Sequence, residues 1–86
     1  MAIFRIEVST TAERQLRRLE RDDQLRVLRA IRDLGTTPRP RGCRKLRGYD
    51  DVFRIRVGTL RVLYSVEPDR ILVIILKVGH RKDIYR

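Results

Sequence analysis

The stretch "FRIRVGTLRVLY", residues 53–64, sets bulky apolar side chains in alternation with arginine on both sides of a glycine. Strict alternation with period two is the mark of a strand with one buried face. Gly58–Thr59 between the two halves is a connection of hairpin length. Two antiparallel strands are therefore expected, over residues 52–57 and 60–66. In the first, Phe53, Ile55 and Val57 point one way and Arg54 and Arg56 the other. In the second, Leu60, Val62, Tyr64 and Val66 oppose Arg61, Leu63 and Ser65. Arginines on adjacent strands of one face lie only about 5 Å apart. Like charges that close repel, and an anion between them removes the conflict.

The rest of the chain supplies partners for this hairpin. Residues 71–78 read as a third strand of the meander, joined through "EPDR" at residues 67–70. Alternation there opposes Leu72, Ile74, Leu76 and Val78 to Val73, Ile75, Lys77 and, just beyond, Arg81. With the wholly apolar set assigned to the core, Arg54, Arg56, Arg61, Lys77 and Arg81 gather on the opposite, open face. Residues 3–8 alternate as well and are expected at an edge of the same sheet. Ser9 or Thr10 can then cap a helix, Thr10 and Glu13 having capping-box spacing. Ala12, Leu16 and Leu19 fall on one face of it. Asp22 or Asp23 can cap a second helix in which Leu25, Leu28, Ile31 and Leu34 recur at about one turn, with Gly35 as a left-handed terminator. "TTPRPRGCRKLRGYDD", residues 36–51, has the Pro and Gly content of a loop. The predicted fold is α+β, ordered β-α-α-β-β-β: an antiparallel sheet of about four strands with a helical hairpin packed on one face, in a single domain over residues 1–86.

Composition narrows the partners. Lys and Arg total 21 against 11 Asp and Glu, a formal charge of +10, which favours polyanions. The longest apolar run, residues 71–76, is too short to cross a bilayer, and residues 1–8 alternate rather than forming a secretory signal. A lone cysteine, Cys43, makes no internal disulfide, and no Cys/His cluster has zinc spacing. A reducing cytoplasm is the expected compartment, with no metal or other cofactor.

A solvated strand face is the bland account of the arginines. Against it, from Val52 onward the acids are Glu67, Asp69 and Asp83, and the first two sit in a turn. An ordinary wet face mixes signs, and arginine is the residue suited to bidentate phosphate binding. The loop adds Arg39, Arg41, Arg44, Lys45 and Arg47, a basic run that tracks phosphate or is simply soluble. In "GHRKDIYR", residues 79–86, His80 and Tyr85 are groups able to move protons; the alternative is that they serve a turn and dock the tail.

"KLRGYDDVFRIRVGTLRVLY" (residues 45–64) followed by "ILVIILKVGHRKDIYR" (residues 71–86) resembles the RelE branch of the RelE/ParE toxin superfamily. The likeness runs nearly the full length, through "ERQLRRL" in the first helix and "LRAIRDLGTTPRP" in the second. It implies the toxin of a type II toxin–antitoxin system: a ribosome-dependent messenger-RNA endonuclease that inhibits translation, is metal-independent and is held by a cognate antitoxin. It also implies operator DNA binding through that antitoxin. Cleavage is implied to run by attack of a ribose 2′-oxygen on the adjacent phosphorus. By position, Arg61 and Arg81 match phosphate-binding and acid or charge-stabilising arginines, Arg54 and Arg56 two basic strand residues, and Tyr85 the tail tyrosine. Lys45, Arg47, Lys77 and His80 are expected to contact RNA. Some relatives carry lysines at the two strand positions; a guanidinium there is a poor base. Two alternatives stay open: a gyrase-directed toxin of the ParE branch, and a non-catalytic basic nucleic-acid binder or corepressor.

Overall fold

Ser9 joins the first strand to the first helix and ties both to the end of the sheet. In this computed structural model, which describes residues 3–80, its Oγ accepts the Ala12 N–H at 3.0 Å and donates to the Leu76 carbonyl at 2.9 Å. The elements are β1 (Arg5–Val8), α1 (Thr10–Arg17), α2 (Arg21–Leu34), β2 (Arg44–Lys45), β3 (Val52–Val57), β4 (Leu60–Glu67) and β5 (Leu72–His80), with a 3-10 turn at Pro68–Arg70. They form one sheet in the order β1-β5-β4-β3-β2, five strands rather than four. The meander β3–β4–β5 is antiparallel as expected, and β1 lies at the β5 edge, parallel to it. The added strand is β2, where Arg44 pairs with Arg54 and Lys45 with Phe53. Two residues carry no periodicity, and tertiary pairing alone makes this part of the loop a strand.

The helix ends differ in detail from expectation. Ser9, not Thr10, caps α1, so the Thr10–Glu13 box is not used. Glu20 is the cap of α2 without a side-chain bond, and Asp22 and Asp23 sit in its first turn, where the helix dipole favours negative charge. Gly35 is right-handed (φ −64°) rather than left-handed. A close approach accounts for a glycine there: a Cβ would stand 3.3 Å from the Phe4 carbonyl oxygen, and the Phe4 N–H donates to the Gly35 carbonyl at 2.7 Å. That bond fastens the start of β1 to the end of α2.

Both helices pack on one face of the sheet. Ala12 and Leu16 of α1 and Val27, Ile31 and Leu34 of α2 meet Phe53, Ile55, Leu60, Val62, Tyr64, Val66, Val73, Ile75 and Val78. Each such aliphatic side chain, fully buried, contributes roughly 1.5–3 kcal/mol. Leu25 and Leu28, expected in this face, are exposed by 46% and 44%. Steps of three residues lag a 3.6-residue turn by about 60° each, so the series drifts off the buried side, and Val27 takes the place instead.

The largest departure lies in β5. Val66 pairs with Val73 and Tyr64 with Ile75, but Leu63 pairs with Lys77, so the register slips by one residue at Leu76. This β-bulge reverses the phase of the strand. Val73 and Ile75 face the helices before it and Val78 after it, not Leu72, Ile74, Leu76 and Val78 as one set. The backbone groups around the step are caught by α1: Ser9 holds the Leu76 carbonyl, and Gln15 Oε1 accepts the Val78 N–H at 2.7 Å.

Candidate functional site

Residues opposite each other in a ladder point to the same side of the sheet. On the side away from the helices, two rows therefore cross the strands. One runs Arg44, Arg54, Leu63, Lys77; the other runs Arg56, Arg61, Gly79. Five cations from four strands thus share one end of this face, with Arg56 directly opposite Arg61. Arg61 is 8% exposed, Arg54 and Lys77 are half-buried, and Arg44 and Arg56 are exposed. Neither row contains a carboxylate. The acids that the registers place on this side, Glu7 and Glu67, lie at the other end and are bonded to Arg5 at 3.2 Å and Arg70 at 3.5 Å. The sheet face is thus polarised along its strands.

Because β2 is so short, the edge of β3 is uncovered beyond Arg54. A cavity of about 980 Å³ opens there, floored by Leu34 and Ile55 and rimmed by Arg41, Arg44, Arg54 and Arg56. The Nε of Arg54 is buried with no hydrogen-bond partner among the described residues. A buried N–H left without an acceptor costs about 1–3 kcal/mol, a deficit that a ligand oxygen would remove. The wall of the cavity is held in place from the core. The Tyr64 hydroxyl donates to the Pro38 carbonyl at 2.8 Å, its ring stacks on Phe53 at 5.9 Å, and Arg39 lies over Phe53 at 5.4 Å. Burial first, then the neighbouring Cys43, push the Tyr64 phenol far up from its usual value, with Arg39 acting the other way. Tyr64 is a structural hydroxyl and stays protonated.

Of the residues singled out in the sequence, Arg54, Arg56, Arg61 and Lys77 come together. Lys77 reaches this face through the bulge rather than through unbroken alternation. His80 pairs with Leu60 and is directed to the helix-packed side, at its exposed end. Lys45 pairs with Phe53 and Arg47 lies exposed in the turn after β2, so neither joins the two rows. Arg81 and Tyr85 lie outside the described residues. Arg44 was missed as a member of the cluster. Its sole sequence signal was its place in a basic run, because a two-residue strand shows no alternation. Among the described residues no group of His, Cys, Asp and Glu is arranged to hold a metal, and no helix is long and apolar enough to span a membrane.

Comparison with known proteins gives this geometry a lineage. Residues 6–85 match the family described as "ParE toxin of type II toxin-antitoxin system, parDE". Toxin RelG of Mycobacterium tuberculosis is 36% identical over 84 residues, covering 96% of this chain and 97% of RelG. The fold superposes on a chain of the M. tuberculosis toxin–antitoxin complex RelBE2 with a TM-score of 0.82 and 34% identity, covering 96% of this chain and 97% of that one. A chain of the archaeal RelE–RelB complex from Pyrococcus horikoshii gives 0.83 at 29% identity, covering 94% and 98%. The polarised sheet face, the helical hairpin behind it and these matches across almost the whole length agree: the chain belongs to the RelE/ParE superfamily of type II toxin–antitoxin toxins, on its RelE side.

Proposed function

We propose that this toxin is a metal-independent endoribonuclease that cuts messenger RNA on the ribosome and so halts translation in the cytoplasm. The observation that carries the reading is the convergence of Arg54, Arg56 and Arg61, joined by Arg44 and Lys77, on an end of one sheet face whose two rows hold no carboxylate among the described residues. In-line attack by a ribose 2′-oxygen builds negative charge on a five-coordinate phosphorus, and fixed cations aimed at that charge lower the barrier. Arg61, rigidly placed on a central strand, is assigned to the scissile phosphate, and Arg54 and Arg56 to the RNA backbone beside it. The cavity rimmed by Arg41 and Arg44 continues the positive path around the β3 edge. Arg81 and Tyr85 enter by resemblance, as a second phosphate ligand and as base or stacking partner. The relatives solved with RelB support a cognate antitoxin as partner, acidic or amphipathic enough to cover the positive face.

The test is to express the chain without antitoxin and map messenger-RNA ends by primer extension. Discrete cuts within translated codons are expected. The matched family description is worded for ParE, which favours a second reading, a toxin directed at gyrase. Damaged DNA with intact transcripts would establish that reading and reject the nuclease.

A further inference from the structure

Expelling the 5′-oxygen of the cut strand releases an alkoxide, a far stronger base than any amine, and a proton supplied as the P–O bond breaks speeds the step. Guanidinium groups hold phosphate well but part with protons poorly. Of the five cations gathered on the described second face, four are arginines and one, Lys77, is an amine. The imidazole of His80 is turned toward the helix-packed side by its pairing with Leu60. We infer that Lys77 is the general acid of this toxin, passing a proton from Nζ to the departing 5′-oxygen. The inference rests on the nuclease reading above.

The backbone supports the assignment independently of composition. Val73 and Ile75 face the helices, and unbroken alternation would send residue 77 into the core behind them. The bulge at Leu76 turns Lys77 out to the arginines. Ser9, the cap of α1, and Gln15 within it hold the backbone that the bulge disturbs. Bulges often re-aim one side chain beside an active site. Lys77 then stands opposite uncharged Leu63 and diagonal to Arg61, a spacing of about 7–8 Å that a long side chain spans. Gly79 adds no side chain to the Arg61 row, so the substrate meets Arg61 and Lys77 from the same side. In the step itself the O2′–P bond forms and the P–O5′ bond breaks. The 2′-proton leaves to water, the Nζ proton moves to O5′, and the amine takes a proton back from water.

The experiment is single-turnover cleavage of ribosome-bound message by the full chain, Lys77→Met, Lys77→Arg and Arg61→Ala. Two substrates are compared, the natural one and one with a bridging sulfur at the 5′-position, whose thiolate leaves without a proton. Both Lys77 variants are expected to cut the oxygen substrate about 10²- to 10⁴-fold more slowly and the sulfur substrate at nearly the unmodified chain's rate. That recovery also shows that the variants fold. Arg61→Ala is expected to be slow on both. Equal slowing of the two substrates by the Lys77 variants, or no slowing of either, overturns the inference and leaves the nuclease reading standing. An unmodified chain that cuts neither substrate overturns the nuclease reading, and this inference with it.

Discussion

Along β4, Leu60, Val62, Tyr64 and Val66 project into the helices, while Arg61, Leu63 and Ser65 project from the opposite side, and all seven are less than a tenth exposed. Burial therefore does not distinguish the two faces. The difference lies in what each side chain meets across the neighbouring strands. Val62 meets Val78 and Ile55, whereas Arg61 meets Arg56 and the bare backbone of Gly79. One face gains free energy as it closes; the other sets like charges side by side, an arrangement that favours the approach of an anion. The first carries the fold and the second is the face to which we assign the proposed activity, so substitutions on the two sides are expected to separate in their effects.

The widest separation is between stability and cleavage. Ile75→Ala on the helix-packed face is expected to lose about 2–5 kcal/mol of stability. In a chain of this size that lowers Tm by roughly 4–8 °C per kcal/mol, read by thermal circular dichroism. Arg61→Ala on the other face is expected to lower cleavage about 10²- to 10³-fold while moving Tm far less than Ile75→Ala does. A variant that lost both together would break the comparison.

A smaller effect sharpens it, because Tyr64 belongs to the core face yet holds the cavity wall. Tyr64→Phe deletes the bond to Pro38 and is expected to cost about 0.5–1.5 kcal/mol. It also changes the alkaline limb of stability. The phenol's folded value is raised, so the folded chain keeps its proton when the unfolded chain, with an ordinary value near 10, gives it up. The stability tied to this proton is complete below about pH 10 and is lost as pH climbs beyond it. Denaturant midpoints measured across that range are expected to fall more steeply for the unmodified chain than for Tyr64→Phe. Smallest of all is the pair Arg17–Glu13 on the outer face of α1, 2.6 Å apart but mostly exposed. Glu13→Gln is expected to change stability by less than about 0.5 kcal/mol, and still less at high salt.

Much of this is legible in the sequence alone. Alternation through residues 53–66 fixed which side Arg54, Arg56 and Arg61 take, because β3 and β4 pair without interruption. Periodicity failed where a count had to be broken. The bulge at Leu76 is invisible in a run such as "ILVIIL", in which every residue is apolar and either phase looks acceptable. The Leu25–Leu28 series misled because spacing of three approximates a helical turn over one step but not over three. Arg44 was hidden by brevity, its strand existing only through its pairing with Arg54. His80 lies close to Lys77 and Arg81 in sequence, but its direction depends on the strand's parity.

That parity has a consequence for how such a chain can vary. With one supernumerary residue at position 76, β5 presents valine and isoleucine inward before the step and a cation outward after it. Substitutions can accumulate there singly. Gain of one residue beside the step would exchange inside for outside over part of the strand, driving an ammonium among the aliphatic side chains of the interior, whereas loss of the extra residue itself would restore plain alternation with Lys77 still outward. Single-residue insertions in this segment are therefore tolerable only with a compensating deletion, and uncompensated ones belong in the turn at Pro68–Arg70 or in the loop before β3.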